Sequence, residues 1–175
     1  MRGGARRARG RMRGFRWAGK LVHWGLLFCP ESAVSRDHSY FNRMLRGELP
    51  PPPVFTLLGG TIDAVDAAAG VLRARYQGAE SFRNPADQVQ GGMLCAMLDD
   101  LCAAAVDATV EAGQSVATLN LNVSFLRPAQ VGELQGEARV IRRGREIAYV
   151  TATVSQGGKE VAIATATCKV VTLAT

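Results

Sequence analysis

The C-terminal third of the chain contains three strand-length runs that are separated only by tight turns. Residues 134–142, 146–155 and 160–173 are rich in β-branched and other apolar side chains, and the short sequences RRGR and QGG lie between them. Such short turns can join only antiparallel strands, because a parallel connection needs a crossover of a dozen residues or more. These residues therefore predict three consecutive antiparallel strands.

The residues before these strands predict one long helix among further strands. Strand patterns cover residues 55–67 and 71–78, and a helical pattern over residues 91–111 ends at Gly113. Residues 118–126 alternate in polarity, with Leu119, Leu121, Val123 and Phe125 on one face. One helix inserted among antiparallel strands predicts an α+β fold, a curled antiparallel sheet wrapped around one long central helix.

Three segments with different compositions predict the domain organisation. Residues 1–36 have eight basic residues and no acidic residue in their first twenty, which predicts a disordered N-terminal tail. This Arg-rich start also has features of a targeting segment, and a true start at Met12 or later is a third interpretation. Residues 37–53 predict a short helix from an Asp37 cap to Gly47, then an extended proline-rich linker over residues 50–53. The folded domain is predicted over residues 54–175.

The positive charge of the chain is confined to its N-terminal part. The net charge is +6, but residues 1–50 carry 11 Lys and Arg against 3 Asp and Glu, and the remaining residues carry 10 against 12. A nucleic-acid-binding domain would need its basic excess on the folded part, so nucleic acid is not an expected partner. No apolar run approaches the roughly 20 residues of a membrane helix, so no membrane association is expected.

Cysteine and histidine spacing argues against a metal or redox centre. The four cysteines include no CxxC pair, and His23 and His38 both lie in the first quarter of the chain. We therefore expect no metal site, and reduced thiols in a cytoplasmic protein. Since no histidine follows Ser39, chemistry in the folded domain must proceed without an imidazole base.

The predicted helix carries a carboxylate on an unusually apolar side. At 100° per residue, its leucines form one stripe that should pack on the sheet, and the opposite side carries Asp99 among small residues, namely Gly92, Cys95, Ala96, Cys102, Ala103 and Val106. An acid in a half-buried apolar groove is suited to act as a base or a nucleophile. The alternative is that Asp99 and Asp100 are solvated acids on an amphipathic helix.

Two sequence blocks resemble a known family. NPADQVQGGMLCAMLDD, residues 84–100, followed by VATLNLNVSFLRPAQVGEL, residues 116–134, resembles the hotdog-fold thioesterases of the phenylacetate-pathway (PaaI-like) type. The resemblance covers roughly residues 52–171 and implies a hotdog fold and hydrolysis of acyl-CoA thioesters. It is specific where the first block occurs together with FLRPA.

The resemblance implies a role for each matching residue. Asp99 matches the family's catalytic acid, and Gly91, eight residues earlier, matches the glycine whose backbone N–H binds the oxyanion. Asn84 matches an asparagine that positions water or the carbonyl, and Thr118 a hydroxyl that holds the attacking water. Gln90 stands where the family usually has histidine; it can still donate a hydrogen bond but does not titrate near neutrality.

Further residues are candidates for binding the substrate. Arg142, Arg143 and Arg145 cluster in a predicted turn and could contact the phosphates of coenzyme A, although arginines are also common in exposed turns. Gly92 follows Gly91 at the helix start and is assigned to substrate binding with it. Coenzyme A would be part of the substrate, and no separate cofactor is expected.

The sequence thus predicts an acyl-CoA thioesterase, with a non-catalytic acyl-CoA-binding hotdog protein as the alternative. Gly91 and Asp99 are about 12 Å apart along one helix, at 1.5 Å per residue, which is too far for both to act on one carbonyl group. Two antiparallel helices from two chains can bring them together. We therefore expect a homodimer, or a dimer of dimers, with sites shared between subunits.

Overall fold

The computed structural model describes residues 15–17, 20–22, 39–111 and 113–172. The chain divides into two compact units, Met1–Ser32 and Ala33–Thr175. In the first unit, Phe15–Trp17 (β1) and Lys20–Val22 (β2) pair as antiparallel strands. The rest of residues 1–36 lies outside the described residues, so the disordered tail stays a prediction, as do the domain boundaries.

The second unit is built on a six-stranded sheet in which every neighbouring pair is antiparallel. Its strands are Thr61–Asp66 (β3), Val71–Gly78 (β4), Gln114–Phe125 (β5), Gly132–Arg143 (β6), Ile147–Gln156 (β7) and Lys159–Thr172 (β8). The strand order is β3-β4-β6-β7-β8-β5, so β5 is an edge strand. The predicted turns are present: Gly144 lies in the turn before β7, and Gly157 and Gly158, both with positive φ, join β7 to β8.

One helix, Gly91–Asp107 (α3), fills the inner face of this sheet. The predicted leucine stripe is its buried face, since Leu94, Leu98 and Leu101 are at most 3% exposed. Inward-facing residues of β4, β6, β7 and β8 complete the core, among them Leu72, Leu134, Val150, Val154 and Ala164. The predicted α+β architecture, an antiparallel sheet around one long helix, is confirmed.

The structure corrects the end of this helix, which was predicted to run to residue 111. α3 ends at Asp107, and Ala108 is its C-cap. Thr109 leaves the helix with both its backbone N–H and its hydroxyl donating to the Val106 carbonyl oxygen. Val110, which follows the helix, is fully buried in the core.

The proline-rich stretch also differs from its prediction. Residues 50–53 were predicted as an extended linker and residues 55–67 as a strand, but Pro53–Leu57 forms a helix (α2) with its N-cap at Pro52. Proline is favoured in a first helical turn, because its fixed φ is helical and its missing N–H would have no partner there. Phe55 buries its ring edge-on against Tyr76, with ring centroids 6.2 Å apart.

The short helix predicted before the prolines is confirmed, with a different cap. Tyr40–Leu45 forms α1, and the Ser39 hydroxyl accepts a hydrogen bond from the Asn42 backbone N–H. Asp37, the predicted cap, lies outside the described residues. The Phe41 backbone N–H donates to Asp107 Oδ2 at 3.1 Å, which fastens α1 to the last turn of α3.

The alternation predicted for β5 is interrupted by a bulge. The pairing with β8 shifts register between Thr118 and Asn120, so Leu119 has no partner and is 58% exposed. Leu121 and Val123 still pack against the core, and Phe125 is 55% exposed at the end of the strand. Leu119 therefore faces away from Leu121 and Val123, because a bulge changes which residues share a face. Phe125 keeps the face of Leu121 and Val123, and its ring lies close to Gly91.

Gly136 of β6 allows α3 to approach the sheet closely. A Cβ atom at this position would lie 2.6 Å from Leu101 Cδ1 and 3.2 Å from Leu101 Cγ. Gly136→Ala should therefore lower the free energy of unfolding by about 1–3 kcal/mol through overpacking. Urea unfolding at one fixed protein concentration measures this change.

Gly92→Ala is the matched control, because a Cβ atom there meets nothing within 4 Å and alanine is the better helix former. We expect it to be neutral or slightly stabilising. Equal destabilisation by both substitutions would contradict the proposed close contact between Gly136 and Leu101.

Candidate active site

The start of α3 combines a close aromatic contact with a glycine N–H group. A Cβ atom on Gly91 would lie 3.1 Å from Phe125 Cζ, so the aromatic ring leaves little room for a larger residue. The N-terminus of a helix carries free N–H groups and a partial positive charge, which together stabilise negatively charged oxygen atoms. The backbone at Gly91 is therefore chemically suited to bind an oxyanion.

Gln90 is the N-cap of α3 and occupies this N–H group with its own side chain. Its Oε1 atom accepts a hydrogen bond from the Gly91 backbone N–H at 3.1 Å. The Gln90 side chain is exposed, so it can rotate away without disturbing the core. A ligand oxygen that binds Gly91 must first displace the Gln90 amide oxygen.

Asn84 organises the loop that leads to the helix. Its Oδ1 accepts hydrogen bonds from the backbone N–H groups of Ala86 and Gln88, at 2.9 and 3.1 Å. The Gln90 N–H then donates to the Phe82 carbonyl oxygen at 2.8 Å, which holds the end of the loop. Because Oδ1 is engaged within the loop, the Nδ2 group is the part of the Asn84 side chain left to donate to a ligand.

Asp99 lies in the middle of α3 with an unsatisfied carboxylate oxygen. Its Oδ1 is buried and has no hydrogen-bond partner among the described residues. A buried unpaired carboxylate oxygen is costly, so such a group points to a ligand or a partner that completes its surroundings. Asp99 is therefore a group with an unmet hydrogen-bonding capacity on the apolar side of the helix that the sequence identifies.

Cys168 of β8 lies opposite Thr118 of β5 in the sheet. Burial raises the pKa of Cys168, the Thr118 hydroxyl donates to its sulfur and lowers this pKa, and the Asp99 charge raises it. The predicted hydroxyl residue thus contacts a thiol whose pKa the charge of Asp99 also affects. Burial likewise raises the pKa of Cys102 to about 12, so this thiol stays protonated and behaves as a small core residue.

Asp100 was considered a plain neighbour of Asp99 or a solvated acid, but it is largely buried and hydrogen-bonded. The Tyr76 hydroxyl donates to Asp100 Oδ2 at 2.6 Å. Burial raises the pKa of Asp100, the Tyr76 hydrogen bond lowers it, and the Asp99 charge raises it. Sequence analysis missed Tyr76, although the alternation of Leu72, Ala74 and Tyr76 on β4 directs a phenol towards the helix.

The arginine cluster lies away from Gly91, next to the last residues after α3. Arg143 donates to the carbonyl oxygens of Gly144 and Arg145 within its own turn. Burial lowers the pKa of Arg143, and the charge of Glu111, a residue that follows α3, raises it. Arg142 and Arg145 are exposed. The structure therefore does not bring the three arginines to Gly91 or Gly92 within one chain.

The described part of the chain contains no group of three or more His, Cys, Asp or Glu side chains that could hold a metal ion. Its helices also include none that is long and apolar enough to cross a membrane.

A six-stranded antiparallel sheet curled around one helix, with glycines at the helix start and a buried acid two turns later, defines a hotdog-fold protein. The family model of the Thioesterase superfamily matches residues 89–163, which include Gln90, Gly91, Asp99 and Thr118. Together with the relatives described next, this match shows that the chain belongs to the thioesterase superfamily.

Three similar proteins support this membership. A crystal structure of a candidate thioesterase from Ralstonia eutropha, a phenylacetic acid degradation-related protein, is 59% identical, with a TM-score of 0.73, and the match covers 74% of this chain and 98% of the other. A candidate esterase from Halobacterium salinarum is 33% identical over 58% of this chain and 68% of its own length. Human acyl-coenzyme A thioesterase 13 is 27% identical over 53% of this chain and 66% of its own length. The resemblance to PaaI-like thioesterases is confirmed.

The raised pKa of Asp100 predicts how its removal affects stability. A carboxyl group whose pKa is raised by folding favours the folded state below its ordinary pKa, and this contribution is lost as pH rises through the raised value. Asp100→Asn cannot ionise, and its amide oxygen can still accept from the Tyr76 hydroxyl. The stability of the variant relative to the wild type should therefore increase from pH 4 to pH 7, as measured by urea unfolding. A difference independent of pH would contradict this assignment.

Proposed function

We propose that this protein is an acyl-CoA thioesterase, which hydrolyses an acyl- or aryl-CoA to the free acid and coenzyme A. The observation that carries the proposal is the unpartnered, buried Oδ1 of Asp99 on a helix that begins at Gly91. Membership of the thioesterase superfamily and similarity to an acyl-CoA thioesterase support the reaction class. No separate cofactor is needed, since coenzyme A leaves with the product.

In the proposed reaction, the thioester carbonyl oxygen displaces Gln90 Oε1 and accepts a hydrogen bond from the Gly91 N–H. As a general base, Asp99 takes a proton from water while the water oxygen attacks the carbonyl carbon. The tetrahedral oxyanion then collapses, the C–S bond breaks, and the thiolate leaves and receives a proton. Alternatively, the carboxylate attacks directly, and water then hydrolyses the mixed anhydride.

Asn84 and Thr118 have positioning roles in this proposal. The Asn84 Nδ2 group is available to donate to the water or the carbonyl oxygen, since its Oδ1 is held by the loop. The Thr118 hydroxyl lies beside Cys168, which also interacts with Asp99, so it is suited to hold the attacking water near the base. Gly92 leaves open space at the helix start, where the thioester must approach the backbone.

The active site is proposed to be shared between two subunits. Gly91 and Asp99 of one chain are about 12 Å apart along α3, whereas the reacting carbonyl needs both within about 3 Å. β5 is an edge strand of twelve residues with exposed Leu119 and Phe125, features of a surface that pairs with another copy. Two chains joined along β5 would run their α3 helices antiparallel, so that Gly91 of each approaches Asp99 of the other.

This arrangement also gives the arginine turn a role that it lacks in one chain. When the two α3 helices run antiparallel, the C-terminal end of one helix lies near the N-terminal end of the other. The arginine turn of one subunit, which is near the C-terminal end of its own α3, then lies on the side where α3 of the other subunit begins. The exposed Arg142 and Arg145 are then candidates to contact phosphate groups of coenzyme A. Arg143 is assigned to the conformation of the turn, because it donates to the turn's own carbonyl oxygens.

A non-catalytic acyl-CoA-binding protein is the second candidate. The observation that favours it is the Gln90–Gly91 hydrogen bond, which occupies the oxyanion donor with a residue that cannot titrate. A protein of this kind would bind acyl-CoA without releasing the thiol. Release of coenzyme A measured with a thiol reagent, against binding measured by calorimetry, separates the two functions.

A cytoplasmic location remains part of the proposal.

Asp99→Asn should lower kcat by at least about 100-fold, the low end expected for loss of a general base. Asp100→Asn is the comparison, since it removes a neighbouring carboxylate that already accepts a hydrogen bond from Tyr76. Its loss should be about tenfold or less. The assay follows thiol release from acetyl-CoA, and equal losses in the two variants would refute the assignment of Asp99 as the catalytic acid.

Subunit mixing tests the shared site. Gly91→Pro chains lack the donor N–H, and Asp99→Asn chains lack the base, so each homodimer should be nearly inactive. Mixed dimers would contain one site with both groups intact and should recover part of the wild-type rate. If mass spectrometry shows subunit exchange but the mixture stays inactive, the shared-site model is wrong.

A further inference from the structure

A cavity of about 290 Å³ lies between α1, α2 and the second half of α3. Most of its walls are apolar, and Asp100 and Asp107 of α3 also line it. The apolar lining includes Phe41 and Met44 of α1, Phe55 of α2, Ala103 of α3 and Val116 of β5. Ligand pockets for molecules of drug size start at about 300 Å³. This cavity is therefore large enough for the acyl part of a thioester and too small for the nucleotide part.

Two separate elements place this cavity next to the proposed catalytic groups. Ala103 follows Asp99 by one helical turn, which is about 6 Å along α3 and on the same side of the helix. Val116 precedes Thr118 by two residues on β5, which is about 7 Å along the strand and on the same face. Residues that line the cavity therefore lie one helical turn from Asp99 and two residues from Thr118, a distance that an acyl chain can span.

α1 is held over the cavity by a specific contact with α3. Asp107 Oδ2 accepts a hydrogen bond from the Phe41 backbone N–H, and the Phe41 side chain is 6% exposed. Ser39 is almost fully buried and caps α1 through its hydroxyl. The Tyr40 hydroxyl donates to the Pro50 carbonyl oxygen at 2.8 Å, which ties α1 to the segment before α2. Met44 therefore has a defined place in the cavity wall.

We propose that this cavity binds the acyl group of the substrate, and that Met44 of α1 and Ala103 of α3 set the length of the acyl chain. The inference rests on the proposed thioesterase function. The acyl group would enter the subunit that contributes Asp99, while the other subunit contributes the Gly91 N–H to the thioester oxygen. Residues 39–45, which precede the sheet in the chain, thereby become part of the specificity of the site.

The test is a profile of kcat/KM across straight-chain acyl-CoA esters from two to twelve carbons. In the wild type, kcat/KM should increase by about fourfold for each buried methylene group until the cavity is full. Ala103→Leu fills the cavity and should move the maximum to shorter chains, with at least a tenfold loss at the wild-type optimum. Met44→Ala enlarges the cavity and should move the maximum to longer chains.

Leu45→Ala is the matched control, since Leu45 also lies on α1 and packs against the core but does not line the cavity. It should leave the position of the maximum unchanged. Thermal unfolding of each variant identifies any variant that does not fold. Met44→Ala, which enlarges the cavity, and Ala103→Leu, which fills it, test the cavity independently. Profiles of Ala103→Leu and Met44→Ala that coincide with the wild type would overturn the inference while leaving the thioesterase proposal intact.

Binding of S-alkyl-CoA thioethers, which cannot be hydrolysed, provides a readout that does not depend on activity. Calorimetry on the full-length wild type and the same variants should give affinities that depend on alkyl length as the rate profile does. If no acyl-CoA is hydrolysed but this dependence on alkyl length persists and shifts in the variants, the thioesterase proposal fails and the cavity assignment stands. Affinities independent of alkyl length would refute the cavity assignment.

Discussion

The packing of α3 against the inner face of the sheet determines the positions of Gly91 and Asp99, the two groups at the centre of the proposed chemistry. Leu101 contacts β6 where Gly136 has no side chain, so the helix axis lies closer to the strands than a larger residue would allow. With this contact in place, the charge of Asp99 acts on the Cys168 thiol, and Asp100 accepts a hydrogen bond from Tyr76 on β4. A shift of α3 by one residue would rotate both acids by 100° and remove both relationships.

Three acids on this one helix lie in three different environments. Asp99 has a buried oxygen without a partner, Asp100 accepts a hydrogen bond from a buried phenol, and Asp107 accepts one from the backbone of α1. Burial raises the pKa of both Asp100 and Asp107, and in each case a hydrogen bond to the carboxylate opposes that rise. Chemical identity alone therefore says little about their roles, and their partners distinguish a structural acid from a candidate catalytic one.

Much of the fold could be predicted from sequence because it depends on local signals. The tight turns around Gly144 and Gly157 and the leucine spacing of α3 predict the strand directions and the buried helix face. Features that depend on distant contacts could not be predicted in this way. The bulge at Leu119 reflects pairing with β8, and the helix at Pro53 is stabilised by Phe55 packing on Tyr76.

The candidate site also combines features that local sequence signals predict with features that depend on distant contacts. Gly91, Asp99 and Thr118 follow from a recognisable motif, and the structure places Thr118 opposite Cys168 in the sheet. The Tyr76–Asp100 and Phe41–Asp107 contacts join residues 24 and 66 positions apart, so no local pattern could reveal them. The internal hydrogen bonds of Arg143 were also hidden, because a cluster of arginines looks the same whether its guanidinium groups face solvent or their own turn.

The hydrogen bond from Gly91 to the Gln90 side chain has a consequence for how binding energy would be used in the proposed reaction. A neutral thioester oxygen that replaces Gln90 Oε1 exchanges one neutral acceptor for another, and the net gain is small. When the same oxygen becomes negatively charged, its hydrogen bond is roughly twice as strong as a neutral one. The exchange would therefore favour the transition state over the bound substrate, which accelerates the chemical step without tightening substrate binding. In this way a non-titrating glutamine would make the helix start selective for charge rather than for the carbonyl group itself.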